Sequence, residues 1–318
     1  MQINSSNLNF LFQEWDQKFQ GAFEQAPVFW DRYSTLMPSS TDQSVHSWLE
    51  EQSGLHEWVG ARQIDNVVAR DYTLRNKDWE KTIGLDRNKV KDDTYGVFGP
   101  AVAQLGVQAK QWPDDVMTAV LEAGTTETGW DGEYFFDTDH PVDFDDSTKG
   151  TFSNLKVGST WNLETDPIAV YKAIRKLGMK YKASNGRPLN VMFDTLMVPP
   201  DLEDAGLMLV KSDTRVQVVQ NVAASQNVAA AGVTNIYQGA LTLIVNPRLT
   251  VTDAYYFMET RRPVKPFIWQ LRQAPEFASL FSPTDPNVFH MRKYLYGVDS
   301  RGAGGYTFPF LCVRGAAS

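Results

Sequence analysis

A mixed fold of helices and strands, α/β or α+β, is what this sequence predicts, and three observations carry the prediction. The chain has 318 residues, enough at roughly 150 residues per domain for about two domains that bury most of their apolar surface. Between residues 150 and 260, helical patterns alternate with short apolar runs, as in sheet layers covered by helices. Period-two alternation and a long helical stripe occupy separate stretches elsewhere.

The first 37 residues carry eight aromatics: Phe10, Phe12, Trp15, Phe19, Phe23, Phe29, Trp30 and Tyr33. Trp15, Phe19 and Phe23 stand four apart, on one face of a short helix, and Pro27 and Pro38 interrupt any continuation of it. One short helix has too little surface to bury eight rings against its own domain. The segment is therefore expected to be an arm that packs on another subunit; a docked terminal helix is the plainer reading.

Residues 70–87 read as a hairpin. Tyr72 and Leu74 alternate with polar neighbours, Asn76-Lys77-Asp78 supplies a turn, and Trp79, Ile83 and Leu85 resume the alternation. Arg70, Asp71, Arg75, Glu80, Lys81, Asp86 and Arg87 make it too polar for a core. Two strands alone are marginal in water, so it is expected to need a partner surface.

From Pro100, residues Val102, Leu105, Ala109, Trp112, Val116 and Ala119 form one helical stripe. Pro113 is expected to kink this helix or start a new one with Asp114 and Asp115 in its first turn, and Gly124 to end it. Residues 131–146 hold seven acidic side chains and no Lys or Arg, with Pro141 among them, and read as a loop. Thr165 is expected to cap a helix that has Pro167 in its first turn, Ile168, Tyr171, Ile174 and Leu177 on one face, and Gly178 at its close. Residues 191–198 read as a strand. Pro199 and Pro200 lead into a helix with Asp201, Glu203 and Asp204 in its first turn and Lys211 at its end. Residues 240–245 and 254–258 are further strands.

Residues 220–225 and 226–231 repeat as Gln-Asn-Val-Ala-Ala-Ser and Gln-Asn-Val-Ala-Ala-Ala, two copies being too few for a solenoid. From Val216 to Leu249 the only charge is Arg248, unusual for a loop exposed on a monomer. From Arg261 onward, eight basic residues face three acidic ones. Strand-like alternation appears at 267–271 and 288–296, and Gly302-Ala303-Gly304-Gly305 reads as a tight turn before 306–313.

With 42% apolar and 21% charged residues, 22 Gly and 16 Pro, the composition is globular, which excludes a disordered, collagen-like or coiled-coil chain. The net charge of −8 argues against a generally basic nucleic-acid-binding surface. A single cysteine, Cys312, cannot form an internal disulfide and points to a reducing compartment. The first residues lack the basic flank and apolar run of a signal peptide, and no uncharged apolar stretch reaches the length of about 18 residues that spans a bilayer.

Chemistry-bearing motifs are scarce. Asp137-Thr138-Asp139-His140 invites a metal reading, since carboxylates and imidazole bind divalent ions. Its spacing completes no ligand set, and a structural or solvated acidic loop is the stronger reading. His46, His56, His140 and His290 are scattered, and the chain has no nucleophile elbow, Walker loop or dinucleotide fingerprint after a strand. No catalytic, cofactor-binding or metal residue is assigned. A metal-dependent hydrolase built on the acidic loop and a binding module such as an adaptor remain as alternatives.

Several stretches, in order and across most of the chain, resemble the major head subunits of Mu-type tailed phages and prophages, the gpT family. They are Glu57-Trp58-Val59-Gly60 with Arg62, Trp79-Glu80-Lys81-Thr82-Ile83-Gly84-Leu85, and Asp131-Gly132-Glu133-Tyr134-Phe135-Phe136-Asp137-Thr138-Asp139-His140-Pro141-Val142. Arg262-Pro263-Val264-Lys265-Pro266-Phe267-Ile268-Trp269-Gln270 and Tyr296-Gly297-Val298-Asp299-Ser300-Arg301 with Gly304-Gly305-Tyr306 come later in the chain. The resemblance implies an α+β shell protein of the Hong Kong 97 type, not an enzyme and without cofactors. It implies an N-terminal arm over residues 1–60, an extended-loop hairpin over 61–95 that lies over a neighbour, and a peripheral domain with its spine helix over 96–149. An axial domain over 150–260 and returning peripheral strands over 261–318 complete the chain.

The partners it implies are other copies, as hexamers and pentamers closing into an icosahedral head; scaffold and protease, made as separate products; a portal at one vertex; and packaged DNA without sequence-specific binding. It leaves open a decoration protein on the outside. The expected location is the virion, assembled in the bacterial cytoplasm, with no membrane involved. Arg75, Trp79, Lys81, Asp137, Asp139, Gln226, Asn227, Arg262 and Lys265 are the expected interface residues.

Overall fold

The computed structural model describes residues 5–49, 69–92, 96–143, 146–219, 229–282 and 285–317. Helix α1 (Ser5–Gln25) and the single turn α2 (Trp30–Tyr33) lead into strands β1 (Ser34–Pro38), β2 (Gln43–Leu49), β3 (Ala69–Arg75) and β4 (Lys77–Asp86). Helices α3 (Arg87–Asp92) and α4 (Phe98–Ala123) precede β5 (His140–Pro141), β6 (Thr151–Phe152) and β7 (Leu155–Val157). The second half holds α5 (Pro167–Lys180), β8 (Thr195–Val198), α6 (Glu203–Val210), β9 (Thr214–Val219), β10 (Ala229–Thr234), β11 (Thr242–Val245) and β12 (Ala254–Met258). It ends with β13 (Phe267–Leu280), α7 (Pro286–Met291), β14 (Lys293–Tyr306) and β15 (Cys312–Ala316). No helix among the described residues is long and apolar enough to cross a membrane.

Two sheets organise the chain. One has the order β1-β13-β14-β4 and the other β11-β8-β12-β15-β7; β2-β3, β9-β10 and β5-β6 pair as two-stranded ribbons. The five-stranded sheet packs against α5 and α6 around Tyr171, Ile174, Phe193, Leu196, Leu209 and Phe257. The four-stranded sheet packs against α1 and α4 around Phe12, Trp15, Phe19, Val102, Leu105, Tyr294 and Tyr296. A third cluster, with Met117, Leu121, Phe135, Phe136, Tyr256 and Trp269, joins the two.

The expected hairpin over 70–87 is corrected by the register. β3 pairs with β2, from Gln43↔Arg75 to Leu49↔Ala69, whereas β4 pairs with β14, from Lys293↔Asp86 to Gly302↔Lys77. Asn76 is buried at the change of sheet. Its side-chain nitrogen donates to the Thr41 carbonyl at 2.8 Å and to Ser39 Oγ at 3.0 Å, so the chain crosses between sheets there instead of turning back. The hairpin that does form is β2–β3, and the stretch Glu57 to Arg62 lies outside the described residues.

The aromatic N-terminal helix is also corrected. Helix α1 docks on its own chain, burying Phe12, Trp15 and Phe19, at about 1.5–3 kcal/mol per large apolar side chain. The rings find room because α4 and the long strands together offer a wide surface: Phe19 stacks on Phe277 and Trp15 meets Tyr296 edge-on. Helix α4 runs through Pro113 without a break and ends at Gly124 as expected. Asp166, not Thr165, caps α5 by accepting from the Ala169 amide, and the helix continues past Gly178 to Lys180.

Residues 288–296 do not form one strand. Pro286 at the first helical position starts α7, which ends at Arg292 in the left-handed conformation (φ 55°), and β14 begins after it; a proline at a helix start outweighs the alternation. The 302–305 run is likewise no turn. It lies inside β14, paired to residues 268–271 of β13, where a Cβ at Gly302 would fall 2.7 Å from the Gln270 carbonyl and one at Gly304 2.8 Å from Met117 Sδ. Glycine there lets α4 sit directly on the strand.

Candidate assembly surfaces

The β2–β3 ribbon is anchored to the body at one end. Buried Gln270, on β13, donates its side-chain N–H to Asn76 Oδ1 at 2.8 Å and to the Leu74 carbonyl at 3.2 Å. Its Oε1 must then accept, so His46 Nε2, 2.8 Å away, carries the hydrogen. Exposed Arg75 pairs with Asp42 at 3.2 Å, and Arg301 reaches the same carboxylate at 3.4 Å. Among the described residues, β2 and β3 pair with no other strand.

Trp79 and Lys81 belong to β4 and so lie outside that ribbon. The Trp79 indole N–H donates to the Gly302 carbonyl at 3.2 Å, and its ring lies 5.9 Å from that of Trp112 on α4. Both Trp79 and Lys81 line a groove of about 340 Å³ between α4 and the sheet, with Leu105, Trp112, Pro275 and Val298.

The acidic loop divides its residues. His140 is fully buried, with Nδ1 at 2.6 Å from Asp131 Oδ2 and Nε2 at 3.1 Å from Asn154 Oδ1. The Asn154 amide donates to the carbonyls of Phe135 and Pro309, so its Oδ1 accepts, from the Asp137 amide and from His140 Nε2. His140 is thus a structural tie between the loop and β15's approach. The set Asp137, Asp139 and His140 does not form; the carboxylates of Glu133, Asp137 and Asp139 lie within 4.8 Å of one another instead.

In the basic segment, Arg262 donates to the Leu189 carbonyl at 2.6 Å and its guanidinium lies 6.0 Å from the Phe310 ring centroid. Lys265 donates from its backbone to Thr35 Oγ1 at 2.9 Å and from Nζ to the Asp31 carbonyl. These two side chains therefore tie elements of one subunit together. Arg261 pairs with Asp194. Cys312 is fully buried, and burial pushes its thiol well above its ordinary range, so it is no nucleophile.

Strands β9 and β10 form an antiparallel ribbon, Thr214↔Thr234 to Val219↔Ala229, on either side of residues 220–228 of the charge-poor tract. Gln226 and Asn227 lie outside the described residues. The sequence pattern did not reveal Gln270 or Asn76 as the anchor of β2–β3, because a polar residue in an apolar strand signals its partners only once the pairing is known. It also missed Asp114. That carboxylate is buried on α4 and accepts from the amides of Phe29 at 3.2 Å and Trp30 at 2.7 Å, fixing the start of α2.

A long helix lying on long antiparallel strands, a separate two-stranded hairpin and a five-stranded sheet covered by α5 and α6 define a class: shell proteins with the Hong Kong 97 capsid fold. The JBD30 bacteriophage procapsid subunit matches with a TM-score of 0.60 at 24% identity, over 99% of this chain and 77% of that one. The chain belongs to the family of Mu-like prophage major head subunits, gpT, whose profile matches residues 8–165, 155–249 and 237–317. It is 24% identical to the major capsid protein of Escherichia phage Mu over 98% of this chain and 74% of that protein. To the Mu-like prophage FluMu major head subunit of Haemophilus influenzae it is 25% identical, over 94% of this chain and 69% of the relative. The protein is a major capsid subunit of a Mu-like phage head, a component of the virion shell.

Proposed function

We propose that this subunit assembles as hexamers and pentamers that close into the icosahedral head, with the β2–β3 hairpin reaching onto a neighbour. The observation that carries this reading is that β2 and β3 have no third strand beside them among the described residues: the hairpin is held at its Asn76 end through Gln270 and by Tyr72 and Leu74 against Gly305. Two strands alone are marginal in water, and a neighbouring subunit supplies the missing surface.

In this reading α4 is the spine of a peripheral domain formed with the four-stranded sheet, and the five-stranded sheet with α5 and α6 is the axial domain. The β9–β10 ribbon, with Gln226 and Asn227 beyond its strands, points toward the axis where copies converge. The body runs from peripheral to axial and back, since β13 and β14 return to the sheet that β1 and β4 begin. Scaffold and protease act during assembly in the bacterial cytoplasm, a portal occupies one vertex, and DNA fills the interior. Packed DNA brings its own counterions, so a net charge of −8 is compatible with enclosing it.

The test replaces residues 50–68 with a short Gly-Ser turn and compares sedimentation with the full chain. Folded subunits that no longer form shells support the role of the hairpin; shells at the parental yield contradict it.

A further inference from the structure

Two exposed surfaces at opposite ends of α4 complement each other in charge and in apolar content. At the start of α4, the turn formed by α3 and α7 carries Arg87, Lys89, Arg292 and Lys293, all exposed. Phe289 and Met291 project beside them, 76% and 57% exposed. The Arg87 amide bonds to the Arg292 carbonyl at 2.8 Å, which holds the two basic pairs together. Asp86 lies among them, and its carboxyl is held below its usual range, first by the Lys89 amide and further by the charges of Lys89 and Arg292.

At the other end, the turn after Gly124 presents the Glu133, Asp137 and Asp139 carboxylates together. Tyr134, 46% exposed, follows Glu133 in the same turn, and the turn is fixed to the helix end by the Phe136 amide on the Gly124 carbonyl at 2.7 Å. From Val102, in the core beneath the basic turn, to Gly124 the helix rises roughly 30 Å at 1.5 Å per residue. The two surfaces of one subunit are therefore too far apart to meet.

We propose that the basic turn of one copy docks on the Glu133–Tyr134–Asp137–Asp139 surface of a second copy. The basic turn repels its own image, so a two-fold contact of like with like is disfavoured, while head-to-tail pairing places Phe289 and Met291 against Tyr134 inside a ring of opposite charges. A head-to-tail contact joins successive copies, as a lattice requires. This inference rests on the capsid reading and adds which surfaces meet.

The test uses charge exchange in the full-length chain. Lys89→Glu with Lys293→Glu, and separately Asp137→Lys with Asp139→Lys, should each cut shell yield at low salt at least tenfold while leaving the subunit's thermal midpoint within a few degrees. Combining all four substitutions should restore assembly. Zero-length carbodiimide cross-linking of parental shells should join Lys89 or Lys293 of one copy to Glu133, Asp137 or Asp139 of another. Parental shell yield from either charge-reversed pair, or absence of that cross-link in shells that yield others, overturns the proposal. A parent chain that forms no shells even when co-expressed with the proposed scaffold would instead overturn the hexamer-and-pentamer reading on which this inference rests.

Discussion

The Gln270 side-chain nitrogen lies 2.8 Å from Asn76 Oδ1, and this bond joins the base of the β2–β3 hairpin to the buried start of strand β13 in the four-stranded sheet, residues 267–270. The same amide bonds Leu74 and His46, so one side chain fixes three points where the chain passes from one sheet to another. Replacing it with leucine fills the space but leaves these groups without their partner. An unpaired buried polar group costs about 1–3 kcal/mol, so Gln270→Leu should destabilise the subunit by about 2–4 kcal/mol. Urea unfolding measures this, and an unchanged midpoint would contradict the anchoring role.

Gly106 tests the docking of α1 on α4. A Cβ at that position would lie 2.5 Å from the Phe19 carbonyl, a backbone atom that cannot swing aside. Gly106→Ala should push α1 outward at about 1–3 kcal/mol, the range for overpacking. Trp15 fluorescence should shift to the red and the N-terminal 25 residues should become sensitive to protease. If α1 were an arm held only by another subunit, the isolated variant would behave like the parent.

Asp114 gives a pH dependence with a definite sign. Burial, the largest cause, raises its carboxyl above the ordinary range, against the lowering effect of the Phe29 and Trp30 amides. The folded chain therefore binds this proton more tightly than the unfolded chain. The associated stability is fully present below the unfolded carboxylate value and is lost as pH rises through the raised one. Asp114→Asn keeps an acceptor for both amides without the buried charge. It should raise the thermal midpoint at neutral pH, with the gain vanishing in acid. Asp114→Ala should cost about 1–3 kcal/mol by leaving the two amides unpaired. A gain from Asn that persists unchanged at pH 3 would contradict the assignment.

The charge-poor tract predicts a different outcome. If Gln226 and Asn227 approach an axis, like charges 6–8 Å apart repel by roughly 2–3 kcal/mol per pair at an effective dielectric near 20. Gln226→Glu or Asn227→Glu should then block capsomer closure at low salt while the subunit stays folded. Native gels separating monomers from capsomers report this, and normal capsomers would place the tract away from an axis.

Periodicity made the main helices legible. The Val102 to Val116 stripe marked α4, and Ile168, Tyr171 and Ile174 marked α5. The strand pairing was not legible, because Asn76-Lys77-Asp78 has local turn chemistry that the long-range pairing of Lys77–Asp86 with β14 overrides. Glycines 302, 304 and 305 misled for a related reason. Their purpose is the approach of α4 and the β2–β3 strands, contacts over a hundred residues away in sequence. Of the expected surface residues, Asp137 and Asp139 do come together, and Trp79 and Lys81 share a groove. Arg262 and Lys265 also bind backbone carbonyls of their own chain, partners that a run of basic residues in the sequence does not reveal.

Electron microscopy of particles formed by the 318-residue chain, expressed with the proposed scaffold, tests the central claim most directly. The account predicts closed shells of uniform diameter built from hexamers and pentamers, with the β2–β3 hairpin of each copy resting on its neighbour. Monodisperse monomers or small oligomers under those conditions, with no shells, would contradict it.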